Sequence, residues 1–186
     1  MKAEKIIIIG GSAGSFKTVS GLLSELPADF RHTIVLCLHR LRSVRTGFAE
    51  ALQINSKLKV TEPDDTEIIK SNRIYLAPSN YHLLFEYGNR FSLSVAEPVN
   101  HSRPSLDISF DTGAEVFRDK CIGVLLSGAN MDGAKGMLKI KNEGGITIVQ
   151  DPDDSDIKTM PETCINLFQP DHIMDAVKII NFISKL

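Results

Sequence analysis

The stretch KIIIIGGSAG, residues 5–14, decides the fold. Four consecutive β-branched residues, Ile6 to Ile9, are typical of a strand that is buried on both faces of a sheet. Gly10 and Gly11 end this run, and apolar side chains then recur at helical spacing from Ser15 to Leu26. A second apolar run, Thr33 to Leu38, follows. The order strand, helix, strand predicts the start of a parallel sheet.

The rest of the chain continues this alternation, with an interruption in the middle. Between residues 58 and 95 turn residues separate four short predicted strands, which we interpret as antiparallel hairpins. These strands are Leu58 to Glu62, Arg73 to Ala77, His82 to Tyr87 and Phe91 to Val95. The pattern also predicts helices over 46–52, 105–117, 132–142 and 172–185, and strands over 122–126 and 146–149. We therefore predict an α/β fold whose doubly wound, mainly parallel sheet carries helices on both faces and an antiparallel hairpin insertion.

The length and charge of the chain exclude several classes of protein. A chain of 186 residues suits one domain, here residues 1–186. The net charge of −2 gives no general attraction to nucleic acid, so no nucleic-acid partner is expected. A short basic cluster, Arg40, Arg42 and Arg45, is more typical of a solvated helix start than of a binding patch.

No targeting or membrane-spanning segment is evident in the sequence. The isoleucine run is too short to cross a bilayer, and glycines follow it at once, so membrane insertion is not expected. Three cysteines at irregular spacing do not form a disulfide framework, and Cys37 and Cys121 lie in apolar runs typical of buried thiols. A reducing cytoplasm is the simplest location for such a chain.

Three mechanisms compete for the glycine-rich turn after the first strand. The glycines do not have the spacing of a dinucleotide-binding loop. A phosphate-binding loop over Gly11 to Thr18 would place Phe16 where a second glycine must admit phosphate. The third pattern, Gly10-x-Ser12-x-Gly14, is typical of a turn that lifts a nucleophilic serine above the sheet edge, beside a helix N-terminus. The alternative is an ordinary glycine turn in which Ser12 caps the following helix.

A histidine and an aspartate are predicted to reach the same edge of the sheet. His39 directly follows a buried strand, so it lies at the carboxyl edge where Ser12 also lies, whereas His32 is at the opposite end. Asp132 comes shortly after the strand over 122–126, although it could instead cap the next helix. The three side chains predict a Ser-His-Asp site, in a chain order that differs from that of α/β-hydrolases.

The sequence predicts neither a metal site nor a cofactor. It contains no HExxH motif, no clustered histidines and cysteines and no calcium-binding loop of the EF-hand type. The candidate site has one histidine and no cluster of metal ligands, so its activity is expected not to require a metal.

Further motifs occur in order along nearly the whole chain. They are IGGSAG at 9–14, a strand ending in His39, YLAP at 75–78, YHLL at 81–84, VN at 99–100, RPS at 103–105 with Asp107, LSGANMDGA at 126–134, QD at 150–151 and MP at 160–161. With these motifs the chain resembles the catalytic domain of chemotaxis protein-glutamate methylesterases, the CheB type. The resemblance implies a serine hydrolase that removes methyl groups from glutamate methyl esters on a methyl-accepting chemotaxis receptor or another methylated protein.

The resemblance also implies roles for individual residues. Ser12 is the implied nucleophile, His39 the implied base and Asp132 the carboxylate that orients it, with Ala13 and Ala129 near the oxyanion. Some members of the family also deamidate receptor glutamines. The sequence departs from the pattern at Ala13, where threonine is common, and at Ala129, where methionine is common. These departures motivate an alternative, a catalytically weak or inactive interaction module that docks a signalling partner.

A third departure concerns control of the activity. Many members of the family carry an N-terminal receiver domain that accepts a phosphoryl group. The first catalytic strand of this chain begins at Lys5. The sequence therefore predicts a stand-alone catalytic domain that does not depend on a phosphorylated receiver.

Overall fold

A computed structural model describes residues 4–40 and 47–186. Within these residues, seven strands form one parallel sheet in the order β3-β4-β2-β1-β7-β8-β9, and β5 and β6 form a separate antiparallel pair. The strands are β1 Ile6–Gly11, β2 Thr33–Leu38, β3 Lys59–Thr61, β4 Arg73–Leu76, β5 His82–Glu86, β6 Arg90–Ser94, β7 Cys121–Leu125, β8 Ile146–Gln150 and β9 His172–Met174. The predicted fold class is confirmed.

In the described part of the chain, six α-helices cover the two faces of the large sheet. They are α1 Ser15–Glu25, α2 Phe48–Gln53, α3 Leu106–Phe117, α4 Ala134–Asn142, α5 Thr159–Leu167 and α6 Ala176–Ser184. No helix in the described part of the chain is both long and apolar enough to cross a membrane.

The isoleucine run of β1 supplies both halves of the core. Successive side chains of a strand point to opposite faces. Accordingly Ile7 and Ile9 pack with α1 and α6 on one face, while Ile6 and Ile8 pack with α3, α4 and α5 on the other. All four isoleucines are at most 3% exposed. The central position of β1, between β2 and β7, follows from this burial on both sides.

The middle of the chain differs from the hairpin interpretation. β3 and β4 pair in parallel and extend the large sheet beside β2, so only β5 and β6 form a hairpin. Short strands bounded by turn residues do not reveal their pairing direction, because long-range contacts decide it. The hairpin packs Phe85 and Phe91 against the α3 side of the core, and the Phe91 ring lies 4.7 Å from that of Tyr75.

The C-terminal part of the chain also corrects the sequence prediction. The predicted helix over 172–185 is wrong at its start: His172 lies in β9, Asp175 caps the helix, and α6 begins at Ala176. The helix α5, Thr159–Leu167, was not predicted at all. Two predictions fall partly outside the described residues. They concern the start of the helix predicted over 46–52, at Thr46, and the basic cluster, at Arg42 and Arg45.

The contact between α3 and α4 gives a test of core packing. A Cβ added at Gly136 would lie 2.5 Å from Phe110 Cβ and 2.8 Å from the backbone oxygen of Asp107. Because backbone cannot rotate away as a side chain can, we expect Gly136→Ala to lower the free energy of unfolding by about 1–3 kcal/mol. Chemical denaturation measures this change.

The control for this test is Gly21→Ala in α1. The nearest atom to an added Cβ there is the flexible end of Ile180, at 3.3 Å. Alanine is preferred over glycine inside helices by about 1 kcal/mol. Gly21→Ala should therefore leave the free energy of unfolding unchanged or raise it. Equal losses in the two variants would show that close packing at Gly136 is not the cause.

Candidate active site

The parallel pairing of β1 with β2 and β7 brings three loop segments to one edge of the sheet. Gly11 is paired with Leu38, so the next residues, Ser12 and His39, leave neighbouring strands side by side. The His39 amide donates to the Gly11 carbonyl at 3.0 Å. On the other side, the Ser12 amide donates to the Ser127 carbonyl at 2.9 Å. The predicted convergence of the serine, the histidine and the loop after β7 therefore has a direct backbone cause.

Asp132 is fully buried, and hydrogen bonds surround its carboxylate. Oδ2 accepts from His39 Nε2 at 2.9 Å and from the Leu106 amide at 2.7 Å. Oδ1 accepts from the side chains of Asn100 and Ser105 and from the amide of Asp107, at 2.9–3.2 Å. Two of these donors are amides of the first turn of α3, where unpaired backbone N–H groups and the helix dipole favour negative charge.

The environment keeps Asp132 ionised. Burial by itself would raise the pKa of this carboxyl, but the donated hydrogen bonds, that from His39 first among them, outweigh burial and hold the pKa below its ordinary value. The alternative role as a helix cap does not hold, because Gly133 occupies the cap position of α4 and the Asp132 side chain turns towards His39. A buried, ionised carboxylate can therefore orient the imidazole.

The contact with Asp132 decides how the imidazole of His39 is protonated. An ionised carboxylate only accepts hydrogen bonds, so the bonded nitrogen, Nε2, carries the proton. In the neutral ring Nδ1 is then unprotonated and available as a base. This use of the ring is the reverse of that in the serine protease triad, where Nδ1 faces the carboxylate. The His39 side chain is 12% exposed, so solvent and substrate can still reach it.

Ser12 and His39 line one open cavity of about 570 Å³. Phe16 and Phe48 form its apolar part, and their rings meet edge to face at 5.5 Å. Leu38 and Ala13 are also apolar, and most of the other side chains that line it are polar or basic. They include Arg40, His101, Ser102, Arg103 and Asn130. The cavity thus combines an apolar wall with hydrogen-bond donors around the serine and the histidine.

The turn that carries Ser12 is tightly constrained. Gly14 has a left-handed φ of 86°, and a Cβ there would lie 2.6 Å from Asp156. Gly128 approaches closely enough that its own Cβ would lie 3.1 Å from Ser12 Cβ. Ser12 does not cap α1, since Gly14 takes the cap position and the Ser12 carbonyl accepts from Ser15 instead. The geometry therefore favours the nucleophile turn over the simple helix cap.

The two alanines of the site are placed differently. Ala13 lines the cavity, and Ser127 Oγ donates to its carbonyl at 2.9 Å. Ala129 is exposed, and the neighbouring Asn130 is the residue of that loop that lines the cavity. The assignment of Ala13 and Ala129 to an oxyanion site stays a prediction.

Several residues of the site were not predicted from the residue pattern. Asn100 Nδ2 donates both to Asp132, at 3.0 Å, and to Asp107, at 2.9 Å, so one amide links two carboxylates. Burial raises the pKa of Asp107, and the nearby charge of Asp132 acts in the same direction. Asn100 itself has a left-handed φ of 50°. In the sequence, the only indication of a role for Asn100 and Asp107 is that both lie in motifs shared with the methylesterase family.

His82 stabilises the site through buried hydrogen bonds next to α3. It is fully buried; Nε2 lies 3.0 Å from the Glu97 carbonyl and Nδ1 accepts from the Ser105 amide at 3.2 Å. Ser105 in turn donates its hydroxyl to Asp132. His82 therefore positions α3, while His101 lines the cavity and His32 lies at the opposite end of β2, where its Nδ1 accepts from the Lys5 amide.

Arg40 corrects the expectation of a solvated basic cluster. Its side chain is only 4% exposed and forms an ion pair with Glu62. It also donates to the Ala77 carbonyl at 3.0 Å and lies over the Phe48 ring, 5.4 Å from the centroid. Because the guanidinium is buried, it requires the paired charge that Glu62 provides.

Comparisons with known proteins identify the family of this chain. The CheB methylesterase family matches residues 7–183. A protein of Leptospira interrogans is 41% identical over 180 residues, which cover 97% of this chain and 93% of the relative. The protein-glutamate methylesterase/protein-glutamine glutaminase of Thermotoga maritima is 33% identical over 94% of this chain, which spans 52% of that relative.

A solved structure shows the same fold over nearly all of both chains. The crystal structure of the Thermotoga maritima CheB methylesterase catalytic domain superposes with a TM-score of 0.93 at 31% identity, and covers 98% of each chain. The family match extends over almost the entire sequence, and the matched segment includes all three residues of the candidate site. The chain belongs to the CheB methylesterase family.

Proposed function

We propose that this protein is a protein-glutamate methylesterase that works as a serine hydrolase, with Ser12, His39 and Asp132 as its catalytic groups. The observation that carries the proposal is the 2.9 Å hydrogen bond between His39 Nε2 and the buried, ionised Asp132. It leaves Nδ1 as a base in the cavity that Ser12 also lines. The reaction is proposed from the names of the relatives, which are protein-glutamate methylesterases. The polar groups that line the cavity are compatible with binding of an ester carbonyl.

The proposed reaction has two halves. Ser12 Oγ attacks the γ-carbonyl carbon of the glutamate methyl ester while His39 Nδ1 takes the hydroxyl proton. Asp132 stabilises the imidazolium through Nε2–H. The tetrahedral intermediate expels methanol, which receives the proton from Nδ1, and an acyl-enzyme remains. Water, deprotonated by the same nitrogen, then releases the glutamate carboxylate and restores Ser12.

Backbone amides of the turn after β1 are the proposed oxyanion donors. The Ser12 amide is already bonded to Ser127, so the amide of Ala13 is the better placed candidate. It precedes α1, whose N-terminus favours the negative charge that develops on the carbonyl oxygen. A backbone donor does not depend on its side chain, so alanine at this position is compatible with catalysis.

The proposed substrate is a methyl-accepting chemotaxis receptor or another protein that carries glutamate methyl esters. Glutamine is attacked at the equivalent carbonyl, with ammonia as the leaving group, so deamidation of receptor glutamines belongs to the same proposal. All three cysteines are buried and free, which suits a reducing cytoplasm. An open cavity at the sheet edge is accessible to a side chain of a folded partner.

Removal of the nucleophile tests the mechanism most directly. We expect Ser12→Ala to abolish methanol release from a methylated receptor and to prevent labelling by a fluorophosphonate, because the only proposed nucleophile is lost. Mass spectrometry of the wild-type protein should locate the label on Ser12. The matched control is Ser24→Ala, an exposed serine of α1. An unlabelled but folded wild-type protein would instead favour the inactive interaction module.

Replacement of the buried carboxylate tests the role of His39. In Asp132→Asn the amide N–H group would point at Nε2 and favour the proton on Nδ1, which could then no longer accept from Ser12. We expect kcat to fall by orders of magnitude; the corresponding change in a serine protease triad costs about 10⁴-fold. Asp111→Asn, at an exposed position of α3, is the control. Equal kcat in the two variants would contradict the assignment.

The amide of Asn100 is expected to support catalysis through Asp132. Asn100→Gly removes a hydrogen bond that stabilises ionised Asp132 and tolerates the left-handed backbone. The pKa of Asp132 should therefore rise towards its ordinary value, the carboxylate should orient His39 less well, and kcat should fall by about tenfold. Asn89→Gly in the hairpin turn, also left-handed and exposed, is the matched control. An unchanged kcat in Asn100→Gly would contradict this role.

A further inference from the structure

The cavity contains two arginines whose charges are compensated differently. Arg40 forms an ion pair with Glu62. Arg103 forms no ion pair within the described residues, although it lines the same cavity as Ser12 and His39. Acidic side chains are also absent from the described lining of this cavity. Arg103 is therefore a positive charge without a counter-ion beside the catalytic groups.

Neutral oxygens hold the Arg103 guanidinium in place. Nη1 donates to the carbonyls of Val95, at 2.6 Å, and Ala96, at 2.8 Å. Nε and Nη2 donate to Asn80 Oδ1, at 3.2 and 2.8 Å. A guanidinium has five N–H donors, so these four bonds leave one Nη2 hydrogen without an acceptor among the described residues. The guanidinium is thus held in one orientation before any anion binds, so binding costs little further side-chain entropy.

The position of Arg103 indicates which part of a substrate it meets. The loop 99–103 carries Asn100 to Asp132 and places His101 and Ser102 in the lining of the cavity, next to Arg103. Carboxylates bind such a fixed guanidinium with charge-assisted hydrogen bonds. The protein as a whole has a net charge of −2, so the positive charge is a local property of this cavity and not of the whole surface.

We infer that Arg103 is a specificity-determining residue that selects glutamate methyl esters flanked by carboxylate side chains on the substrate polypeptide. The inference rests on the proposed function and deepens it. The uncompensated charge attracts an acidic segment, and the free Nη2 hydrogen bonds one of its carboxylates while the ester reaches Ser12. Binding energy from this second contact orients the reacting ester.

The test uses two synthetic helical peptides, each with one glutamate γ-methyl ester. In one peptide aspartates occupy the positions three and four residues before and after the ester, which share its helix face. In the other, isosteric asparagines replace them. We expect the wild-type protein to release methanol from the aspartate peptide with a kcat/KM about tenfold higher. Arg103→Gln should bring this ratio close to one, and Arg103→Lys should restore part of it.

The control variant is Arg31→Gln, which removes the same charge from the exposed amino edge of the sheet and should keep the wild-type ratio. If Arg103→Gln does not fold, the wild-type ratio must still fall towards one as salt rises to about 0.5 M, because salt screens an exposed ion pair. A salt-independent ratio, or an unchanged ratio in folded Arg103→Gln, would overturn the inference.

The two proposals fail in different ways. Methanol release at equal rates from both peptides by the wild-type protein would overturn the role of Arg103 and leave the methylesterase function standing. Absence of methanol from both peptides, together with no fluorophosphonate label on Ser12, would overturn the proposed function and with it the inference. An aspartate preference that disappears in Arg103→Gln would support both.

Discussion

The candidate site depends on keeping one carboxylate charged where water cannot reach it. Asp132 is fully buried, and an isolated ion there would protonate instead. Donors from separate parts of the fold prevent this: the end of β2 through His39, the loop before α3 through Asn100, and the first turn of α3 through backbone amides. Each donor reaches Asp132 only when the strand, loop or helix that carries it is folded in place. The ionised state of Asp132 and the tertiary fold therefore depend on each other.

The parallel sheet supplies the frame for this arrangement. Because β1 is central and pairs with β2 and β7, the segments that follow these three strands leave the sheet side by side. Burial of the isoleucines on both faces keeps β1 in the centre. The register of β1 with its neighbours therefore determines both the packing of the core and the placement of Ser12 beside His39. Beyond this register, the site requires only the glycine turn that follows β1.

The polar groups around the cavity divide into those that stabilise the fold and those left free for a ligand. His82 and Ser105 satisfy each other and the carboxylate, and Arg40 has its counter-ion in Glu62. Arg103 donates four hydrogen bonds to neutral oxygens, so no acidic side chain among the described residues compensates its charge. In the proposed reaction the ester side chain carries no charge, so a fixed charge beside the site would act on neighbouring groups of the substrate.

The sequence by itself determined the α/β class, a first strand buried on both faces and the edge of the sheet to which Ser12, His39 and Asp132 belong, because these follow from local periodicity and from the direction of parallel strands. Only the tertiary structure decided the parallel pairing of β3 and β4, the short strand β9 at His172, and the bridge from Asn100 between two carboxylates. Local pattern cannot specify these features, since each depends on a partner far away in the chain: strand pairing on the neighbouring edge, and the ionisation of Asp132 on donors contributed by other segments.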